Sequence, residues 1–464
     1  MIERIEWDKL TSNPNEFHSP FMRGKGERPL RITFHSQSLT NLSEEGKAAI
    51  ELLRELGNLP ELEVFETSPG DFPHIVVGEP GPKDDFIPVR LMHRDTLLMS
   101  TLVWNKRQWP IIAARLVGPN NQGKEAIEVM LNVLVLAQAH RSVKGDILVT
   151  ESPLLLNNRS QTVVSETNPR TPLEASQLVG LFLRSRNIYA YRAGPKFKAS
   201  FDQGMFYWIL ARYHLPNMWR YFSACVAAGK TRGDDIQELG EAVLIRAVRA
   251  LQARDAIGVQ FYMPQNNNTG DQIMYHFDYL TLVLTGAIDA QARVAHRAYC
   301  LNTREWLAYF YKKEFIAALA QSGAQELHEL SLKKTFKSFL TLLYELRNTI
   351  HGAALKTFTY ERGYGPRHIL IAVPQPIGQK LLEAGEQLGG AKEWGLTSGF
   401  NEVWLEPYSY ATALVKESLT AINEVAAATD VSRLLKNGQS IPPLMEEAPQ
   451  NSEFTWGKRL SLLA

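Results

Sequence analysis

The run Tyr344-Glu345-Leu346-Arg347-Asn348-Thr349-Ile350-His351-Gly352 places an arginine, an amide and a histidine at the end of an apolar periodic segment. Phe336, Phe339, Leu340, Leu343 and Leu346 precede it at helical spacing, so Arg347 and His351, four apart, share one helix face. That pairing suits RNA cleavage without a metal. A histidine, whose reference pKa is about 6.5, moves a proton to or from the ribose hydroxyl or the leaving oxygen. A guanidinium beside it stabilises the extra charge on the phosphorane, and Asn348 can orient a phosphate. The same residue types also suit an ordinary helix C-terminus, where they complement the dipole and the free carbonyls and Gly352 is a stop.

A second group is cationic. Arg184, Arg186, Arg192, Lys196 and Lys198 fall in one stretch with Tyr189, Tyr191 and Phe197, and no acid stands between Arg184 and Asp202. Cations contact phosphates and aromatic faces stack unpaired bases, so the stretch is a candidate RNA strip; the other reading is a solvated loop anchored by its aromatics. Ala224–Thr231, ACVAAGKT, resembles a phosphate loop with Ala in the first glycine position, but the residues before it read as helix. Gly229 is therefore expected to end that helix. Asp278 and Asp289, eleven apart, share a helix face and are candidates to orient Arg347; the other reading is the solvated side of an amphipathic helix. Glu345 faces elsewhere than Arg347 and is assigned no catalytic role. No histidines or cysteines stand at metal-ligand spacing, and no G-x-S-x-G elbow occurs, so neither a metal site nor a cofactor is expected.

The elements that must position these groups follow from periodicity. Ser43 opens a helix that closes at Gly57, and apolar runs at Leu62–Glu66, His74–Val77, Val89–Met92, Leu97–Trp104, Ile111–Leu116 and Ile147–Thr150 read as strands. A helix is expected over Gly123–Ala139. From Thr171-Pro172-Leu173-Glu174 onward the pattern is helical, over Phe201–Ala228, Asp234–Leu251, Asp271–Tyr299, Thr303–Ala320, Leu330–Leu355, Ile377–Leu388 and Tyr408–Ala428. A hairpin is expected between Phe358–Tyr360 and Ile369–Val373. The fold class is thus α+β: an N-terminal α/β region over 1–160, a helical middle over 161–265, a helical bundle with a hairpin over 266–436, and a flexible tail over 437–464.

Composition bounds the function. The 464 residues carry 50 Lys+Arg and 49 Asp+Glu, a formal charge of +1, which excludes a protein coated in positive charge but allows a local basic patch. Two cysteines, Cys225 and Cys300, exclude a disulfide framework and read as a reducing compartment. The start, MIERIEWDKL, has no apolar core of signal-peptide length, and stretches such as Val129–Ala137 fall short of the ~18 residues a membrane helix needs. A cytoplasmic protein without membrane partners is expected.

LRNTIHG, Leu346–Gly352, resembles the signature of HEPN domains, a helical family found in antiviral and toxin ribonucleases. There an arginine followed by a polar residue, often asparagine, precedes a histidine by a short interval. The likeness covers Asp271 to Ala428, including the long helix DQIMYHFDYLTLVLTGAIDAQARVAH and the closing helix at Tyr408–Ala428. It implies a metal-independent endoribonuclease in a bacterial defence or stress system, with His351 as general acid/base, Arg347 as transition-state stabiliser and Asn348 as orienter. HEPN sites commonly form at a two-fold interface, so the likeness implies a homodimer acting on RNA. The family's usual interval is longer than Asn348-Thr349-Ile350, and members with altered motifs often bind RNA or partners without cutting. A non-catalytic RNA-binding or protein-interaction module is therefore the alternative. DILVTESPLLLNNR and TPLEASQLVGLFLRSR also resemble stretches of large uncharacterised bacterial proteins ending in such a domain.

Overall fold

Leu30, Ile32 and Phe34 are fully buried along β1 (Leu30–His35), the strand around which the N-terminal sheet is built. The computed structural model describes residues 19–23, 26–69, 86–93, 96–103, 140–157, 159, 167–232, 235–352, 354–361, 367–399, 402–436, 439–441 and 452–464. After β1, Ser43 caps α1 (Glu44–Leu56) by accepting the Gly46 amide at 3.1 Å, and Gly57 closes it. The chain returns in β2 (Leu62–Pro69), parallel to β1 with Ile32 opposite Val64. β3 (Phe86–His93) and β4 (Thr96–Val103) add antiparallel. β5 (Ile147–Val149) pairs parallel on the other flank of β1; α2 (Pro153–Asn157) and β6 (Pro169–Arg170) follow. The sheet order is β4-β3-β2-β1-β5-β6. α3 (Pro172–Ser185) opens on the expected signal: Thr171 and Glu174 form a capping box with Pro172 in the first turn. β7 (Ala190–Gly194) and β8 (Phe197–Ser200) make a separate hairpin.

A helical body follows. α4 (Gln203–His214) and α5 (Met218–Arg232) replace the single zone expected over Phe201–Ala228. The break falls at Leu215-Pro216-Asn217, because proline lacks the amide that a continuing helix would use. α6 (Ile236–Phe261) and α7 (Asn267–Ala298) pack as a long hairpin. The polar run Gln265–Gly270 is its turn and the first turn of α7: Asn266 accepts the Thr269 amide at 3.1 Å. Then come α8 (Lys313–Gln321), α9 (Gln325–Leu332) and α10 (Lys334–Gly352), the last two parted at Lys333 where one helix was expected. The hairpin between β9 (Lys356–Glu361) and β10 (Arg367–Val373) is antiparallel, with Phe358 opposite Leu370. α11 (Gln375–Glu386), β11 (Leu396–Gly399), β12 (Glu402–Leu405) and α12 (Pro407–Ala428) complete a sheet of order β11-β12-β10-β9 and the bundle.

The result is an α+β fold with a helical body. The described residues fall into two compact units, 19–201 with 461–464 and 202–460. The sequence boundaries at 160 and 265 differ from this division. α3 packs on α1, which holds it in the first unit, and the α6–α7 hairpin keeps the middle helices with the later ones. The end of the chain is a correction to the expected flexible tail. α13 (Ser452–Ser461) is helical, Leu462 and Leu463 are buried, and the Leu462 carbonyl accepts the Ser176 hydroxyl. The expected helix over 123–139 and the runs at 74–77 and 111–116 lie outside the described residues. Among the described residues no helix is long and apolar enough to cross a membrane.

Candidate functional site

Arg347, Asn348 and His351 occupy the last two turns of α10, whose buried face carries Phe336, Phe339, Leu340, Leu342, Leu343 and Leu346. That apolar stripe fixes the helix's rotation and turns Asn348 and His351 to solvent, with Arg347 half-buried. The Arg347 Nη1 donates to Asn348 Oδ1 at 3.1 Å. Tyr344, one turn earlier, is buried, and its hydroxyl donates to Asp289 Oδ1 on α7.

Asp289 sits among cations. Burial raises its carboxyl above the usual range, opposed by the Tyr344 hydroxyl and then by the charges of Arg347, Arg293 and Arg246. Burial and Asp289 together hold the Tyr344 hydroxyl well above its ordinary pKa, so it acts as a donor and not as a base. Arg246, from α6, donates Nη1 to the Gly286 carbonyl at 2.7 Å. A Cβ at Gly286 would stand 3.1 Å from the Arg246 Cζ, so glycine there lets the guanidinium lie against α7. The half-exposed Tyr311 ring packs 4.6 Å from Tyr344, Tyr309 stacks on it at 5.3 Å, and the Lys312 ammonium lies 5.3 Å from its centroid. The group as a whole is one carboxylate facing three arginines, with a tyrosine platform alongside and a solvent-facing histidine one turn beyond Arg347. Such an array can hold a phosphodiester and stack a base.

Of the two sequence-selected aspartates, Asp289 joins this group. Asp278 does not act on it; its Oδ1 is buried with no hydrogen-bond partner among the described residues. Glu345 pairs with Lys380 at 2.7 Å, away from Arg347. Arg246, Arg293 and Tyr311 carried no sequence signal, because they reach the site from α6, from α7 and from the turn before α8.

The basic stretch divides. Arg184 is buried at 6% exposure and donates Nη1 to the Leu463 carbonyl, so it is no part of a surface strip. Arg186 donates to the Arg23 carbonyl at 2.6 Å and lies over Phe182, which ties it to the fold. Arg192, Lys196 and Lys198 are exposed on the β7–β8 hairpin with Phe197; Arg192 covers the Phe197 ring at 5.4 Å and lies 3.9 Å from Glu55. ACVAAGKT lies wholly within α5, so this stretch forms no phosphate loop. Contrary to the sequence expectation, Gly229 does not end that helix. It sits inside it, where a Cβ would come within 2.9 Å of the Gln237 Cβ.

Comparison with protein-family models, with curated proteins and with solved structures finds no match. The class defined by the architecture is an α+β protein with a helical body.

Proposed function

We propose that the helical unit is a metal-independent endoribonuclease of HEPN type, working as a homodimer in a cytoplasmic setting. The observation that carries this reading is the Arg347 group: a half-buried guanidinium held beside Asp289 and Asn348, with His351 open to solvent on the same helix face. His351 moves the proton of the attacking ribose hydroxyl or of the leaving oxygen. Arg347 stabilises the charge that builds on the phosphorane, and Asn348 orients both. Arg246, Arg293 and the Tyr311 platform supply phosphate and base contacts. A second copy related by a two-fold axis would bring two such groups together.

The three-residue interval between Arg347 and His351 favours a second reading, in which the same surface holds RNA without cutting it. Purified protein incubated with mixed RNA in EDTA separates the two. On the catalytic reading the wild type cleaves, and Arg347→Ala and His351→Ala each lower the rate by about a hundredfold or more. The double variant should be scarcely slower than the singles, since groups acting as a unit are not additive. Absence of cleavage by the wild type, with RNA still bound, would leave the binding module. A monomer by light scattering at micromolar concentration, with and without RNA, would remove the two-fold site.

A further inference from the structure

In the first unit the strands β2, β1, β5 and β6 are mutually parallel, so their carboxyl ends share one edge of the sheet. β1 leads through α1 to β2 on one flank, while β5 lies on the other; the gap between β1 and β5 is therefore a topological switch point. In open α/β sheets that is where ligands bind, beyond the carboxyl ends of the strands.

The residues standing there are polar and come from three strand ends. His35 closes β1, and its Nδ1 lies 2.9 Å from the Thr150 hydroxyl after β5. Ser38 lies 3.0 Å from the same hydroxyl and accepts the Glu151 amide at 3.1 Å. Burial lowers the His35 pKa to about 4, so the imidazole is neutral. Arg170 closes β6. It is 8% exposed, and its Nε donates to Asn168 Oδ1 at 2.9 Å. The carboxylate nearest in charge, Glu174, is already occupied: Arg159 grips it at 2.9 and 2.5 Å, and the Thr171 amide donates to it at 2.9 Å. The two terminal nitrogens of Arg170 consequently have no hydrogen-bond partner among the described residues. The Glu151 carboxylate, partly buried, likewise makes no hydrogen bond among them.

Arg170 is nine-tenths buried as a residue, and its fork has no bidentate acceptor among the described residues. A phosphate offers two oxygens at the spacing of its fork. An unbonded carboxylate at the same edge accepts hydroxyl donors, as a sugar provides. We propose that this edge binds a phosphorylated sugar or nucleotide, with Arg170 gripping the phosphate and Glu151 accepting sugar hydroxyls. The site is independent of the Arg347 group.

Calorimetric titration of the full chain with inorganic phosphate, ribose 5-phosphate, AMP and GMP, in buffers matched with sodium chloride, tests it. At least one of the three phosphate esters should bind one per chain with a dissociation constant below about 1 mM. Arg170→Lys keeps the charge but loses the fork and should weaken that binding by roughly tenfold. Glu151→Gln removes no hydrogen bond of the fold; it should weaken the ester and leave inorganic phosphate equal or tighter. Arg347→Ala should leave in place the one-per-chain ester binding that Glu151→Gln weakens. No ester binding, ester binding unaffected by both Arg170→Lys and Glu151→Gln, or binding lost in Arg347→Ala would overturn the proposal. Should Arg170→Lys fail to fold, the Glu151→Gln comparison decides alone.

Discussion

Asp289→Asn keeps the side chain's shape and removes one charge, which makes it the sharpest probe of how Arg347 is held. The native carboxylate receives the Tyr344 hydroxyl and faces Arg347, Arg293 and Arg246. A hydrogen bond to a charged group contributes about 1.5–3 kcal/mol and a neutral one about 0.5–1.5, so the exchange weakens the Tyr344 contact by roughly 1 kcal/mol. Burial works the other way, since it already disfavours the carboxylate and its cost disappears in the amide. The net stability change should stay within about 1 kcal/mol. On the catalytic reading proposed above, cleavage should suffer more. Arg347 loses its counter-charge, and a misdirected stabiliser forfeits part of the 10²–10³-fold that such a donor supplies, so cleavage should fall by roughly ten- to a hundredfold. RNA affinity should move in the opposite direction: one negative charge fewer among three arginines tightens phosphate contact and steepens the salt dependence. Single-turnover cleavage, anisotropy binding at two salt concentrations and a thermal melt measure all three. Unchanged cleavage with unchanged affinity would refute the positioning role. A parallel loss of cleavage, affinity and melting temperature would make Asp289 a structural residue only.

If the β7–β8 hairpin contacts RNA, the triple variant Arg192→Ala, Lys196→Ala, Lys198→Ala should bind more weakly. Its log–log salt slope should be shallower by about 2, from ~0.7 per single-strand phosphate contact; an unchanged slope returns the hairpin to an ordinary surface. Arg184→Ala should do the reverse, lowering stability by about 1–3 kcal/mol through loss of its buried bond to Leu463 while leaving the salt slope alone. Acid should destabilise the first unit through two histidines. His35 and His140 are held down to about 4 by burial, below the ~6.5 of the unfolded chain. Their folded pKa values are depressed, so the stabilisation is complete above pH ~6.5 and is lost as pH falls toward 4, by up to about 3 kcal/mol each. Urea unfolding at a series of pH values checks this, and a flat midpoint between pH 7 and 4.5 would contradict it.

Local chemistry was readable from the chain alone. Ser43 and Thr171 announce helix starts because their side chains bond amides only three residues on, and the hairpin between Phe358 and Ile369 follows from adjacent runs. The shared face of Arg347 and His351 likewise needs nothing beyond helical spacing. Strand β1 carries no continuous apolar run: Leu30, Ile32 and Phe34 alternate with Arg31 and Thr33 over only six residues. The flanks that β2 and β5 take on β1 were beyond any local pattern, since parallel pairing joins segments far apart in sequence. Burial of Arg184 was equally hidden: its partner carbonyl is 279 residues away. The site itself shows the same division. Arg347, Asn348 and His351 were visible as a motif, but the Tyr344–Asp289 bond spans 55 residues and joins α10 to α7. Arg246 brings its charge near the same carboxylate from a third helix, bonded to the Gly286 carbonyl and lying against that glycine. Periodicity decides which face a helix buries, whereas the packing of one helix on another decides which charges meet, and only the folded chain contains that information.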